Sequence, residues 1–122
     1  MKKNWTPYSV VNSFGFAFSG FFKALKQERN VQIQLTVGII FTILALYFGL
    51  FSLLLAHLVM MTVVLGFELI NTAIEELCDF VEPNFNKQIK KIKDIMAGAV
   101  LLVSFVWMAI LLVIIWNIFF KF

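Results

Sequence analysis

Four polar side chains stand at regular steps in a stretch otherwise suited to lipid: Glu68, Asn71, Glu75 and Asp79. Steps of three, four and four residues place them on one face of a helix. An ionisable group in or near hydrocarbon costs roughly several kcal/mol, so it normally faces a bundle interior or a polar pathway and serves a function. Glu68 is the strongest case, because Val63-Val64-Leu65-Gly66-Phe67 precedes it and the membrane should still surround it. Glu76, Asp79 and Glu82 read more simply as a helix emerging into water. Glu28 ends an earlier helix, and Lys93 and Asp94 open a later one. Two carboxylates, Glu28 and Glu75, with that lysine are the parts of a magnesium–nucleotide site. Magnesium takes one or two protein carboxylates and completes its shell with phosphate oxygens and water. The lysine can hold phosphate as a point charge, and a separate carboxylate can remove a proton from an attacking hydroxyl. The same parts equally fit a proton or ion pathway, as in a small non-enzymatic, proton-linked transporter subunit. There is no GxxxxGK[ST] loop, which excludes a P-loop.

The elements that must position these groups follow from composition. The chain has 122 residues, 61% of them hydrophobic and 14% charged. A soluble domain carries about a quarter charged residues, and so short a chain cannot hide this much apolar surface in a core of its own. An ordinary soluble domain and a disordered segment are both excluded, leaving a small integral membrane protein or a piece of a membrane assembly. The 15 Phe suit lipid-facing helices. One Cys, Cys78, excludes an intrachain disulfide and a thiolate metal cluster, and one His, His57, excludes a catalytic His pair. Neither receives a role. A formal charge of +3 is too modest to argue for nucleic acid. The basic start is not followed by a continuous apolar stretch or a cleavage site, so no cleaved signal peptide is read.

Residues 8–30 read as an amphipathic surface helix: Val11, Phe14, Phe18, Phe21, Phe22 and Leu25 recur at helical steps, with Phe16 the odd aromatic on the polar side. Three membrane helices follow, at about 32–50, 53–80 and 88–120. Between the first two a tight hairpin is expected around Gly49 and Ser52, and Glu82-Pro83-Asn84-Phe85-Asn86 is the clearest loop. The whole chain, 1–122, reads as a single all-α membrane domain. Lys2, Lys3, Lys23, Lys26 and Arg29 precede the first span, and Lys87, Lys90, Lys91 and Lys93 lie between the second and third. The positive-inside rule puts both groups in the cytoplasm of a cell whose plasma membrane the chain crosses, with the hairpin and C-terminus outside. Gly66 and Ala97-Gly98-Ala99 either let helices approach closely or leave room for a lipid.

Glu68-Leu69-Ile70-Asn71-Thr72-Ala73-Ile74-Glu75, then Asp79, then Lys93-Asp94-Ile95-Met96-Ala97-Gly98-Ala99-Val100 closely resembles the signature of the prokaryotic diacylglycerol kinase and undecaprenol kinase family. Glu28-Arg29-Asn30 and the order of surface helix plus three spans match as well, so the resemblance covers essentially the whole chain. It implies a homotrimeric bacterial membrane kinase whose active sites, at the cytoplasmic surface, are shared between subunits. It further implies ATP as phosphoryl donor, Mg2+ as cofactor and a membrane lipid alcohol as acceptor. Residue by residue, Glu68 falls on the catalytic acid, which also meets the lipid, and Glu28 and Glu75 fall on metal-binding glutamates that contact the nucleotide. Asn71 falls on a polar position of the active site, Lys93 and Asp94 on nucleotide contacts, Asn84-Phe85-Asn86 on a stretch touching ATP, and Phe16 near the nucleotide. Ala97 falls on a lipid-substrate position. The wording of Glu28-Arg29-Asn30 and Ala97-Gly98-Ala99-Val100 looks more like the Gram-positive branch acting on undecaprenol than the branch acting on diacylglycerol. Gln32 and Gln34 depart from that branch, which usually has Arg and His there, and Ser9 stands where a basic residue is usual.

Overall fold

The computed structural model of the chain describes residues 7–121. Lys2 and Lys3, which contribute to the charge asymmetry, lie outside the described residues. Those described form four helices: α1 Pro7–Gln27, α2 Arg29–Tyr47, α3 Phe51–Val81 and α4 Lys87–Phe120. The last three are long and apolar enough to cross a membrane.

The amphipathic segment is shorter than the expected 8–30. Glu28 adopts an extended backbone (φ −101°, ψ 111°) and separates α1 from α2. Neither Gly nor Pro marks this break. Gln32 makes it tolerable: its Nε2 donates to the carbonyls of Leu25 (2.9 Å) and Lys26 (3.3 Å), which the end of α1 leaves unpaired. Both faces of α1 are open, with Val11, Phe14 and Phe18 exposed on one side and Phe16 on the other.

The hairpin between α2 and α3 closes at Gly49, whose φ of +66° few other residues adopt without strain. Leu50 N–H bonds the Ala45 carbonyl (2.9 Å) and Gly49 N–H bonds that of Leu46 (3.2 Å). This is the double closure by which a left-handed residue ends a helix. At the other end of the bundle, Pro83 holds the preceding Glu82 extended, and Asn86 starts α4 by accepting from the Gln88 (2.8 Å) and Ile89 (3.3 Å) amides.

α3 is the central element, packed between α2 and α4. Its Val64 joins Trp107 and Leu111 of α4 in a core flanked by Val37, Phe41, Met60, Met61 and Val103. At Gly38 α2 approaches α3 so closely that a Cβ would stand 2.5 Å from the Met61 thioether. The same test finds nothing within 4 Å of Gly66 or Gly98, so close packing within one chain does not account for these two glycines.

His57, expected to have no role, is fully buried. Its Nε2 lies 3.0 Å from the Gly38 carbonyl and 3.1 Å from Thr42 Oγ1, while Trp107 Nε1 donates to its Nδ1 at 3.0 Å. A neutral ring with its proton on Nε2 satisfies every partner, and the cluster ties α2, α3 and α4 together toward the hairpin end.

Candidate active site

At the opposite end the polar face of α3 meets three different neighbours. Glu68 is 2% exposed and faces α2. Asn30 and Gln34 stand four residues apart on α2, hence on one face. Asn30 Nδ2 donates to Glu68 Oε1 at 3.1 Å, and Gln34 Nε2 donates to Oε2 at 3.3 Å. Each carboxylate oxygen thus accepts one amide hydrogen. Thr72 Oγ1 donates to the Glu68 carbonyl at 3.0 Å. A carboxylate offers about four lone-pair directions, so two remain for a reacting group.

One turn on, Asn71 Nδ2 donates to Glu75 Oε1 at 3.3 Å, which fixes this second, half-buried carboxylate. The remaining carbonyl oxygens of the two amides, Gln34 Oε1 and Asn71 Oδ1, are buried without a partner. A buried polar atom left unpaired costs about 1–3 kcal/mol. Two of them lie on residues that also donate to the Glu68 and Glu75 carboxylates.

Asp79, the last residue of the face, accepts from Lys93 of α4 at 2.6 Å. Lys93 lies before the apolar, membrane-spanning part of α4, which starts at Ile95. Its hydrogen bond to Asp79 raises its pKa above the usual lysine value, so the ammonium stays charged. Around this pair, Asn84, Phe85, Asn86, Ile89 and Lys90 enclose a cavity of about 360 Å³. Four residues expected at a nucleotide, namely Asn84, Phe85, Asn86 and Lys93, are therefore neighbours. Phe85 is largely exposed, whereas the Oδ1 of Asn86 is committed to capping α4.

The other expected residues border different parts of the surface or line none of these cavities. Asp94 pairs with Lys90 at 2.5 Å, an exposed i,i+4 pair worth at most about 1 kcal/mol. It borders a separate cleft of about 490 Å³ with Lys87, Lys90, Lys91 and Ile95. Phe16 lines a groove of about 540 Å³ between α1 and α3, together with Lys23, Gln27 and Glu76. Glu28 is half-buried at the N-cap of α2 and makes no side-chain capping bond. Ala97 is exposed on α4.

Among the described residues no three His, Cys, Asp or Glu side chains converge as a metal site. The donors present, the Glu28 and Glu75 carboxylates and the unpaired Asn71 Oδ1, are hard oxygens. Such a set fits magnesium when phosphate oxygens and water supply the remaining ligands.

Asn30 and Gln34 are the residues that the spacing did not single out. Both stand on the face of α2 turned toward Glu68, but only the register between α2 and α3 reveals this. Their polar character at four-residue spacing near the start of a span was the available signal.

A comparison with protein-family models matches residues 15–115 to the family described as prokaryotic diacylglycerol kinase. A comparison with curated proteins finds no match.

Proposed function

The chain belongs to the prokaryotic diacylglycerol kinase family and is a multi-pass membrane lipid kinase, and from that premise we propose that it phosphorylates undecaprenol with Glu68 as the base. The transporter reading falls with the family assignment. The observation that carries the proposal is the buried Glu68 carboxylate, held by two neutral amides and, among the described residues, by no cation. An arginine or lysine against it would weaken its basicity, whereas amides orient it and leave lone pairs for a proton.

In the proposed reaction the lipid hydroxyl oxygen attacks the γ-phosphorus of ATP. The new O–P bond forms as the bond from the γ-phosphorus to the β,γ-bridging oxygen breaks, and ADP leaves. The hydroxyl proton passes to a Glu68 oxygen and from there to solvent. Lys93, kept charged by Asp79, neutralises phosphate, and Asp94 helps position the nucleotide with the 84–86 loop and Phe16. Glu28 and Glu75 would hold Mg2+, which when bound supplies charge neutralisation to the phosphates. Asn71 orients Glu75, and Ala97 borders the lipid. Sharing of the site between copies in a homotrimer is part of the reading. Charge asymmetry supports a cytoplasmic placement of this end in a bacterial plasma membrane.

The unpaired atoms support this choice of acceptor. Gln34 Oε1 and Asn71 Oδ1 are both acceptors, left without a donor among the described residues. Diacylglycerol would add ester carbonyls, which are further acceptors. Undecaprenol brings a hydroxyl and otherwise hydrocarbon. Diacylglycerol, the acceptor in the family's name, is the second reading. The test is competition between the two lipids for phosphate transfer from Mg-ATP by the purified protein in a bilayer. Undecaprenol should be the preferred acceptor by kcat/KM; preference for diacylglycerol would overturn the assignment.

A further inference from the structure

Asn30 and Gln34 lie on α2, outside the α3 stretch and α4 opening that hold Glu68, Glu75, Asp79, Lys93 and Asp94. Among the described residues they supply both side-chain hydrogen bonds to the Glu68 carboxylate. Their geometry is specific: one amide per carboxylate oxygen, from two residues one helical turn apart. Gln34 has a second feature. Its Oε1 is buried and unpaired while its Nε2 faces the carboxylate. If the amide were reversed, Oε1 would confront Glu68 Oε2, acceptor against acceptor. That arrangement becomes favourable once the oxygen carries a proton, because a protonated carboxyl is a donor. A glutamine can therefore serve the carboxylate with its N–H and the carboxylic acid with its C=O.

We infer that Asn30 and Gln34 are positioning residues for the reaction. They hold Glu68 aimed at the lipid hydroxyl, and Gln34 accommodates the proton that Glu68 acquires. This rests on the reading of Glu68 as the base. It adds a claim that the reading does not contain: that two side chains of α2 set the turnover of a group on α3. The rival role is plain structure, with the amides pinning α2 to α3.

The experiment measures kcat, the KM for undecaprenol, ATP binding and thermal stability on the purified, bilayer-reconstituted full chain. Gln34→Met keeps length but has neither donor nor acceptor. Asn30→Ala is a second variant at an exposed position, so it tests the claim even if Gln34→Met folds poorly. Each should lower kcat per folded molecule by roughly 10-fold or more, the lower end of what a hydrogen bond to a charged group supplies, while ATP binding stays near wild type. Gln34→His should recover most of the loss, because His Nε2 is separated from Cβ by the same number of bonds as Gln Nε2. In a Glu68→Gln background, Gln34→Met should cost no further turnover. A kcat within two-fold of wild type in both single variants, or a full additional loss in the Glu68→Gln background, would overturn the inference. So would a loss that tracks stability. If Glu68→Gln itself turns over normally, the base assignment fails instead, and the two failures are thereby distinguished.

Discussion

The buried His57 cluster offers a quantitative test of what holds the three membrane helices together. In His57→Leu the packing volume is nearly kept and Thr42 retains its 2.7 Å bond to the Gly38 carbonyl. Trp107 Nε1–H, however, loses its only described partner in a buried site. A stranded donor costs about 1–3 kcal/mol, so His57→Leu should be destabilised by about that amount. Trp107→Phe strands His57 Nδ1 and also opens space where the outer benzo ring of the indole lay, for about 2–4 kcal/mol in total. Combining the two substitutions removes donor and acceptor together, leaving neither stranded. The double variant should then be more stable than the sum of the single effects by about 1–3 kcal/mol. Unfolding in mixed micelles, followed for wild type, both single variants and the double, gives the coupling directly. Additive losses would refute the assignment of Trp107–His57 as a mutually dependent buried pair. Turnover per folded molecule should stay within about two-fold in His57→Leu, because eleven residues of α3, about 16 Å, separate His57 from Glu68.

Further expectations concern the metal, the close helix contact and the topology. Glu28→Gln or Glu75→Gln should raise the magnesium concentration needed for ATP binding at least about ten-fold, each being a change of one charged ligand, while melting temperature changes little; unchanged magnesium dependence in both would remove them from the metal site. Gly38→Ala should destabilise the bundle by about 1–3 kcal/mol, since Met61 must leave its position, and denaturation of that variant measures it. Cysteine substitutions at Ser52 and Lys90 should be labelled from opposite sides of the membrane, Ser52 from outside; labelling of Ser52 from the cytosol alone would reverse the orientation.

Much of the architecture was legible because it depends on local patterns. Apolar run length set the three spans, Gly49 set the hairpin, and Pro83 with Asn86 set the loop. The shared face of Glu68, Asn71, Glu75 and Asp79 followed from helical periodicity alone. What that face touches did not follow. Glu68 meets α2, Glu75 meets its own helix neighbour Asn71, and Asp79 meets α4, a division set by the register between helices. The break at Glu28 was hidden for a related reason: Gln32 stabilises it from the following helix, and no Gly or Pro announces it. Nothing local marks His57, because its partners, Thr42 and Trp107, are distant in sequence and each sits in its own apolar run. Gln34 was visible only as a departure from a familiar pattern, and its amide gains meaning once it is seen against Glu68.

The central claim is that a buried carboxylate on α3 takes the acceptor's proton. Glu68→Gln keeps the size and polarity of that side chain, and Gln34 can turn its free carbonyl toward the new amide, so folding should survive. Oligomeric state, ATP binding and phosphate transfer to undecaprenol are measured on one sample of this variant. The account predicts an intact oligomer that binds ATP normally and transfers phosphate roughly 10²-fold more slowly, the usual contribution of a general base. Near-normal transfer in an intact oligomer would contradict it, as would a loss of activity that merely follows loss of the oligomer.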